Sequence, residues 1–488
     1  MSKKKQLWMF MGSRNHLWIP VVLGVLFGFW YWISSAGLDN DGYWILATGE
    51  ELTKGIPKEN VFTFVEDLQI VIQQWAWCLL CYKIYDAFGS YGIYIMCVIL
   101  SLAVLAVYVG ITKLRGLKWE SGVKRGVLFL ILMEPFLSIR PTFLTVLLLL
   151  LQTYFVERYI KIGKQHNLLP LILLALLEIN FHSAVWVMHF IFLLPYLVPE
   201  IKNPLITFQK RKFSRKPFVW VIPAMAATGF LNPYGIDGIT YLWRSYGKEL
   251  KEIGIKELQA PAFDNLGILF IAVLVVFALM VQRAKLQNQL IFSSDCYLLC
   301  GTFIMGTMHT RNIVYFFFGA MIFSLEMIRR KQEKPPLKPF AGQLAWIAGI
   351  LVLLSAISWT MENLPFTPKD NATTPVKAVQ YLEEQGQQDA KIFTTFNSGG
   401  FFEWNGFQCF IDARPELYFK SINEKADVFQ DYTALIQSSD PDKMERIIKK
   451  YDFDYFCIDE KTKLGLYLEL NDYEVVVEGN GYLVFASN

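Results

Sequence analysis

YGIYIMCVILSLAVLAVYVGIT, residues 91–112, carries no charged side chain and is bounded by Asp86 before it and by Lys113 and Arg115 after it. A helix over this run has the length of a hydrocarbon core, which takes about 20 apolar residues. It also lacks the polar face that a helix on the surface of a soluble protein keeps toward water. Comparable runs recur near 17–36, 126–139, 142–157, 167–180, 183–198, 218–231, 264–282, 289–308, 312–328 and 342–360. Together they predict an α-helical polytopic membrane protein with about eleven transmembrane helices. The composition agrees, since 54% of the residues are hydrophobic and 16% aromatic, and the apolar ones are gathered in blocks. Lys3, Lys4, Lys5 and Arg14 precede the first run and no small-residue cleavage site follows it. That run is read as a retained helix, not a removed signal.

Charge orients the chain. The net charge of +3 says little, but Lys and Arg cluster at 113–125, 158–164, 202–216 and 329–338, and the alternate loops are poorer in them. The positive-inside rule then places the N-terminus and these clusters in the cytoplasm, and an odd number of spans puts the C-terminus outside. The expected location is a multi-pass protein of the plasma membrane, with the lipid bilayer as its surroundings. Nucleic acid is excluded as a partner, because the basic runs are short, sit beside spans and lack interleaved stacking aromatics.

Three regions are expected: a transmembrane domain over 1–360 with a first external loop at 37–90, a linker over 361–376 marked by Pro365, Pro368 and Pro375, and an extracytoplasmic α/β domain over 377–488. In the loop, YWILATGEEL and WAWCLLCYKIYDAF have helical apolar spacing and predict two helices lying at the membrane surface. A Gly-Pro turn and a β-like run separate them. In the C-terminal region PVKAVQYLEEQG and DKMERIIKKYD predict helices, KIFTTF and YFCIDE strands, FQCFIDARPELYF a strand with a turn, and YEVVVEGNGYLVFA a hairpin turning at Gly-Asn-Gly. The pair Cys78 and Cys81, in WCLLCYK, reads as packed core thiols, as do Cys296 and Cys300. Cys409 and Cys457 share the external domain, where a disulfide between them stays open.

Used as a filter, the topology brings five polar knots to one depth: Asp39 and Asp41; Arg140; Glu178, Asn180 and His182; Asn232 and Tyr234; and His309, Arg311 and Asn312. Ionisable side chains beside apolar blocks are costly unless paired, so they point to a functional cavity on the external side. Arg140 and Arg311 offer donors to a phosphate. Asp39 and Asp41 suit a general base or oxygen ligands for a divalent ion, Mg or Mn. His182, oriented by Glu178 four residues earlier, suits proton donation or metal coordination. Glu134, next to Pro135 inside the third span, predicts a broken or kinked helix. Phosphate clamps with a carboxylate at the membrane surface suggest a phosphorylated lipid as substrate.

The order of these features resembles the GT-C superfamily of integral-membrane glycosyltransferases, in its RgtA/B/C/D-like bacterial form. The resemblance rests on Asp39, Asp41 and Trp44 after the first helix, Gly55-Ile-Pro57, Trp75 and Trp77, Arg140-Pro141, Asn180 with His182, Leu231-Asn232-Pro233-Tyr234-Gly235, Arg311-Asn312, Gly399-Gly400 and Ile411 to Tyr418. It implies inverting transfer of a hexosyl or pentosyl group from a polyprenyl-phosphate-linked sugar to an extracytoplasmic glycan, lipid or protein acceptor. Asp39 or Asp41 would then be the acid near the acceptor, as base or metal ligand. Two other classes stay open: a transporter or flippase of a lipid-linked or anionic solute, which needs polar residues at mid-depth, and a non-catalytic membrane component. Within IDARPEL, Asp412, Arg414 and Glu416 read as a salt bridge at a strand-to-turn junction, or else as a binding edge for a partner.

Overall fold

The structure, a computed structural model, describes residues 38–202, 207–209, 213–245, 274–276, 278, 279, 291–327, 347, 351, 354, 358 and 368–487. The expected span at 17–36 and most of those at 264–282 and 342–360 lie outside the described residues.

Helix α1 (Asn40–Glu51) starts where Asp39, in extended conformation, accepts a hydrogen bond from the Gly42 backbone N–H at 2.8 Å. That satisfies one of the helix's unpaired amides, and Asp41 adds negative charge in the first turn, where the helix dipole favours it. Residues 42–49 are all buried, so within the protein α1 is an interior helix. Two glycines let it sit there. A Cβ on Gly49 would stand 2.2 Å from the Cys78 carbonyl oxygen, and one on Gly400 would stand 2.5 Å from that of Asn40.

Helix α2 (Trp75–Leu114) joins the predicted loop helix to the apolar run through Gly89, whose φ of 59° and ψ of −151° only glycine adopts without strain. It is followed by α3 (Trp119–Met133), α4 (Thr142–Ile162), α5 (Pro170–Phe181), α6 (Phe218–Ala227), α7 (Ile236–Ser245), α8 (Ser294–Met308) and α9 (Ile313–Phe323). As Pro135 predicts, α3 stops at Met133 and gives way to a 3-10 turn over Glu134–Phe136. The expected span at 183–198 is not one helix but three short turns, Ser183–Val185, Met188–Ile191 and Leu194–Leu197. Among the described residues α2 and α4 are long and apolar enough to cross a membrane. Helix α9 is buried at every residue, inside a core built from α2, α3, α4 and α8. On another side of the helices, β1 (Glu200–Lys202) pairs antiparallel with β2 (Thr207–Gln209) and β3 (Ile291–Phe292).

Toward the C-terminus, α10 (Val376–Glu384), α11 (Gly399–Trp404), α12 (Val428–Gln437), α13 (Pro441–Tyr451) and α14 (Lys463–Leu470) surround a sheet of β4 (Ile392–Phe393), β5 (Tyr455–Asp459), β6 (Glu474–Glu478) and β7 (Tyr482–Ala486). Its order is β4-β5-β7-β6, with β4 parallel to β5 and the other pairs antiparallel. The hairpin closes as its Gly-Asn-Gly predicts, with Gly481 at φ 86°. FQCFIDARPELYF is not a strand. Only Cys409 bridges, to Thr63 and Ile392, and Pro415–Tyr418 form a 3-10 turn. The physical reason is local: Asp412 Oδ1 accepts from the Arg414 N–H at 2.6 Å, closing a turn, and Pro415 has no N–H for a sheet. All seven cysteines are free, Cys409 and Cys457 among them.

Residues 38–96 and the C-terminal region share one hydrophobic core, in which Tyr43, Trp44, Ile45 and Leu46 pack with Phe401, Phe402, Phe410 and Ile411. Arg414 joins the two. It donates to Asp412 at 3.0 and 2.6 Å, to Glu403 at 2.9 Å and across to Thr48 Oγ1 at 2.9 Å. Its guanidinium carbon lies 4.9 Å from the Trp44 ring centroid and 4.6 Å from that of Phe62. Asp412 and Arg414 thus form the salt bridge read from the sequence, buried and joined by Glu403, while Glu416 takes no part in it. Burial holds the Glu403 carboxyl well above the ordinary range. The Asp412 carboxyl stays below it, because Arg414 outweighs the cost of burial.

Candidate functional site

Between the helices and this C-terminal roof lies a cavity of about 1220 Å³. Five of the eight predicted site residues line it: Asp39, Asp41, Arg140, His182 and Arg311. They come from the start of α1, the turn before α4, the end of α5 and the 3-10 turn Thr310–Asn312 between α8 and α9. Phe136, Val185, Met188 and Val314 make its apolar wall, while Phe396, Phe429, Tyr432 and Ile436 descend from the C-terminal region.

Arg140 Nη2 lies 2.7 Å from Asp41 Oδ2 and 3.3 Å from Asp39 Oδ2. Asp39 Oδ1 caps α1 and Asp41 Oδ1 accepts from Trp44 Nε1 at 3.1 Å. One oxygen of each carboxylate is therefore spent on holding the side chain in place, and the other faces a guanidinium. The Asp39 side chain keeps 50% of its exposure and Asp41 28%, so Asp39 is the carboxylate more open to an incoming group. A divalent ion needs about six oxygen ligands. Here the carboxylates already surround a cation, and no third His, Cys, Asp or Glu groups with them among the described residues. Mg or Mn would be held by Asp39 and Asp41 together with waters and a substrate phosphate, in place of the guanidinium that the two carboxylates face here.

His182 sits beyond the end of α5 and is not directly oriented by Glu178, whose Oε1 is 4.0 Å from Nδ1. Thr145 stands between them, with its Oγ1 2.9 Å from His182 Nδ1 and donating to Glu178 Oε1 at 2.6 Å. Burial pushes the His182 imidazole down to about 4, with Arg311 adding to the effect and Glu178 opposing it. Burial also lowers the half-buried Arg311, against the pull of Glu416.

Asn180, Asn232 and Tyr234 do not line the cavity; they brace its walls. Asn180 Oδ1 accepts from Trp75 Nε1 at 3.1 Å and its amide donates to the Leu231 carbonyl at 3.0 Å. The Asn232 amide donates to the carbonyls of Gly229 and Gly235, and its oxygen accepts from the Tyr234 N–H at 2.8 Å. Tyr234 Oη donates to the Pro57 carbonyl at 3.4 Å. Glu134 is likewise outside the lining, with Oε2 buried and without a hydrogen-bond partner. Glu416, which the sequence offered only within a salt bridge or a binding edge, lines the cavity, as do Gln73 and Tyr241, which sequence reasoning missed. Glu416 Oε1 accepts from Tyr241 Oη at 2.9 Å and from Gln73 Nε2 at 3.4 Å. Burial raises its carboxyl above the ordinary range, against its hydrogen bonds and Arg311. The only sequence signal was its place in IDARPEL.

The chain matches no protein-family model and no curated protein. Among solved structures it is similar to the oligosaccharyltransferase of Archaeoglobus fulgidus in its apo form, at 12% identity and a TM-score of 0.43, over 89% of this chain and 69% of that one. The same enzyme tethered by a disulfide to an acceptor peptide containing the NVT sequon matches at 13% identity and a TM-score of 0.44, over 91% of this chain and 69% of that one. A complex of the archaeal oligosaccharyltransferase AglB with an inhibitory peptide and a dolichol-phosphate matches at 10% identity and a TM-score of 0.44, over 89% and 69%.

Proposed function

We propose that this cavity transfers a sugar from a polyprenyl-phosphate-linked donor to a hydroxyl of a glycan, lipid or protein acceptor on the extracytoplasmic side of the plasma membrane, as a GT-C-type glycosyltransferase. The observation that carries the reading is the joining, in one cavity, of a carboxylate pair held by Arg140, a second guanidinium from Arg311, and an apolar wall from the helices. A lipid phosphate needs both a guanidinium and an apolar surface, and an acceptor needs a carboxylate within reach. In this scheme the acceptor oxygen attacks the anomeric carbon and gives its proton to Asp39 or Asp41. The bond from that carbon to the phosphate oxygen breaks, and the polyprenyl phosphate leaves as an anion neutralised by Arg140 and Arg311. Asp39→Asn with Asp41→Asn is expected to abolish the glycan or glycolipid product in cells that still insert the protein. An unchanged product profile would sink the mechanism.

Transport is the second reading, and one observation favours it: Thr145, Gln152, Thr153 and Glu157 follow one another down α4, deeper than the span ends where polar groups were expected. Each is hydrogen-bonded inside the protein, and the cavity reaches α4 only at Thr142. Glycosyl transfer therefore ranks first. Uptake by liposomes holding the purified protein, without sugar transfer, would reverse the order.

A further inference from the structure

The hydrogen bonds behind His182 decide which of its ring nitrogens carries the proton. Gln152 Nε2 donates to the His189 carbonyl at 2.9 Å, which turns Gln152 Oε1, an acceptor only, toward His189 Nδ1 at 2.6 Å. His189 Nδ1 must therefore be a donor. His189 Nε2 lies 3.2 Å from Glu178 Oε2, and since two lone pairs would repel there, the contact holds one hydrogen. Wherever that proton sits, the other carboxyl oxygen, Oε1, is an acceptor, and Thr145 gives it its single hydroxyl hydrogen at 2.6 Å. Thr145 Oγ1 then has only lone pairs left for His182 Nδ1 at 2.9 Å. A neutral imidazole has one N–H, and here it is on Nδ1.

We infer that the Gln152–His189–Glu178–Thr145 chain fixes His182 as its Nδ1–H tautomer, so that Nε2 presents a lone pair to the cavity and takes a hydroxyl donor, not an anionic phosphate. His182 lines the cavity, and its Nε2 is neither among the buried atoms lacking a partner nor engaged by a described residue. A phosphate oxygen would meet lone pair against lone pair there, whereas a sugar or alcohol hydroxyl would donate to it. The phosphate subsite thus belongs on the Arg140 and Arg311 side and the hydroxyl subsite at His182. This division rests on the sugar-transfer reading, but the tautomer does not. Thr145, Glu178 and His189 are positioning residues, acting through His182.

The test is nitrogen-15 NMR of the full-length protein labelled at its five histidines, with His182 assigned by His182→Asn. The expected spectrum at neutral pH has a pyridine-type, unprotonated resonance for Nε2 and a pyrrole-type one for Nδ1. Thr145→Val, which removes the acceptor of the Nδ1–H, is expected to shift His182 toward the Nε2–H form, and Thr145→Ser to restore the native pattern; a purely space-filling Thr145 would leave the tautomer unmoved. Methyl glucoside, a hydroxyl donor without phosphate, is expected to move the Nε2 resonance while leaving it unprotonated, and inorganic phosphate to leave it in place. An unprotonated Nδ1, an imidazolium, or a Thr145→Val spectrum like the native one overturns the tautomer assignment. Protonation of Nε2 by phosphate, or no response to the glucoside, overturns the hydroxyl subsite. None of these arms requires turnover, so the glycan product of the aspartate variant tests the transfer reaction separately.

Discussion

Replacing Arg414 with Met tests whether residues 38–72 and the C-terminal region are held as one body. The native side chain is 8% exposed and faces Asp412 and Glu403, both 0% exposed. With the guanidinium gone, Asp412 keeps the Tyr418 hydroxyl at 2.9 Å, the backbone N–H of residue 414 at 2.6 Å and the Glu403 carboxyl as partners, but its charge is buried without a counter-charge. One-sided loss of a buried pair costs about 3–5 kcal/mol, a large part of the stability of a typical domain. The two aromatic faces add roughly 0.5–1 kcal/mol each if the methionine does not replace their contact. The cost falls on the joint between α1, through Thr48 and Trp44, and the cavity roof at Ala413 to Leu417. Hydrogen exchange of the full-length protein in detergent reads it directly. Amides of residues 38–72 and of α11 are expected to exchange roughly a hundred- to a few thousand-fold faster. Adding Asp412→Asn to Arg414→Met removes the stranded charge, so the double variant is expected to be less destabilised than the single one. Unchanged exchange over 38–72 in Arg414→Met, or a double variant as weak as the two single losses added together, would refute the reasoning.

Gly400→Ala places a methyl group 2.5 Å from the Asn40 carbonyl oxygen and 3.0 Å from the Trp44 Cβ; it is expected to lower stability by about 1–3 kcal/mol, read as a lower thermal midpoint, and to reduce product formation through the displaced start of α1. Glu416 gives a pH signature. Its folded carboxyl is raised by burial, so between the ordinary value of about 4.3 and the raised one the folded state holds more protons than the unfolded chain, and stability falls as pH rises through that window. Glu416→Gln is expected to make this slope shallower in a plot of thermal midpoint against pH, leaving the share of Glu403, whose carboxyl is also raised by burial; an unchanged slope would show that Glu416 does not contribute.

The sequence alone determined most of the helices, the break at Pro135, the sheet's closing hairpin and the polar residues that end helices. These are local matters: apolar spacing, a missing N–H and a glycine turn act within a few residues of themselves. Five of the eight chosen polar residues face the cavity because acidic and basic groups beside apolar blocks are costly unless something meets them. Asn180, Asn232 and Tyr234 passed the same filter yet hold backbone together, since an amide or a phenol at a helix end is satisfied as well by a neighbouring carbonyl as by a ligand. Only the tertiary structure decided that α1 is interior, that the C-terminal region roofs the cavity, and that Glu416 meets Tyr241 and Gln73 across 175 and 343 residues of chain. It also decided that the His182 ring is hydrogen-bonded by Thr145 at 2.9 Å and not by the Glu178 carboxylate, which lies 4.0 Å away. Such contacts leave no periodicity to read, because they are set by how separate elements pack, where a Gly400 without a side chain and a buried Arg414 determine which surfaces meet.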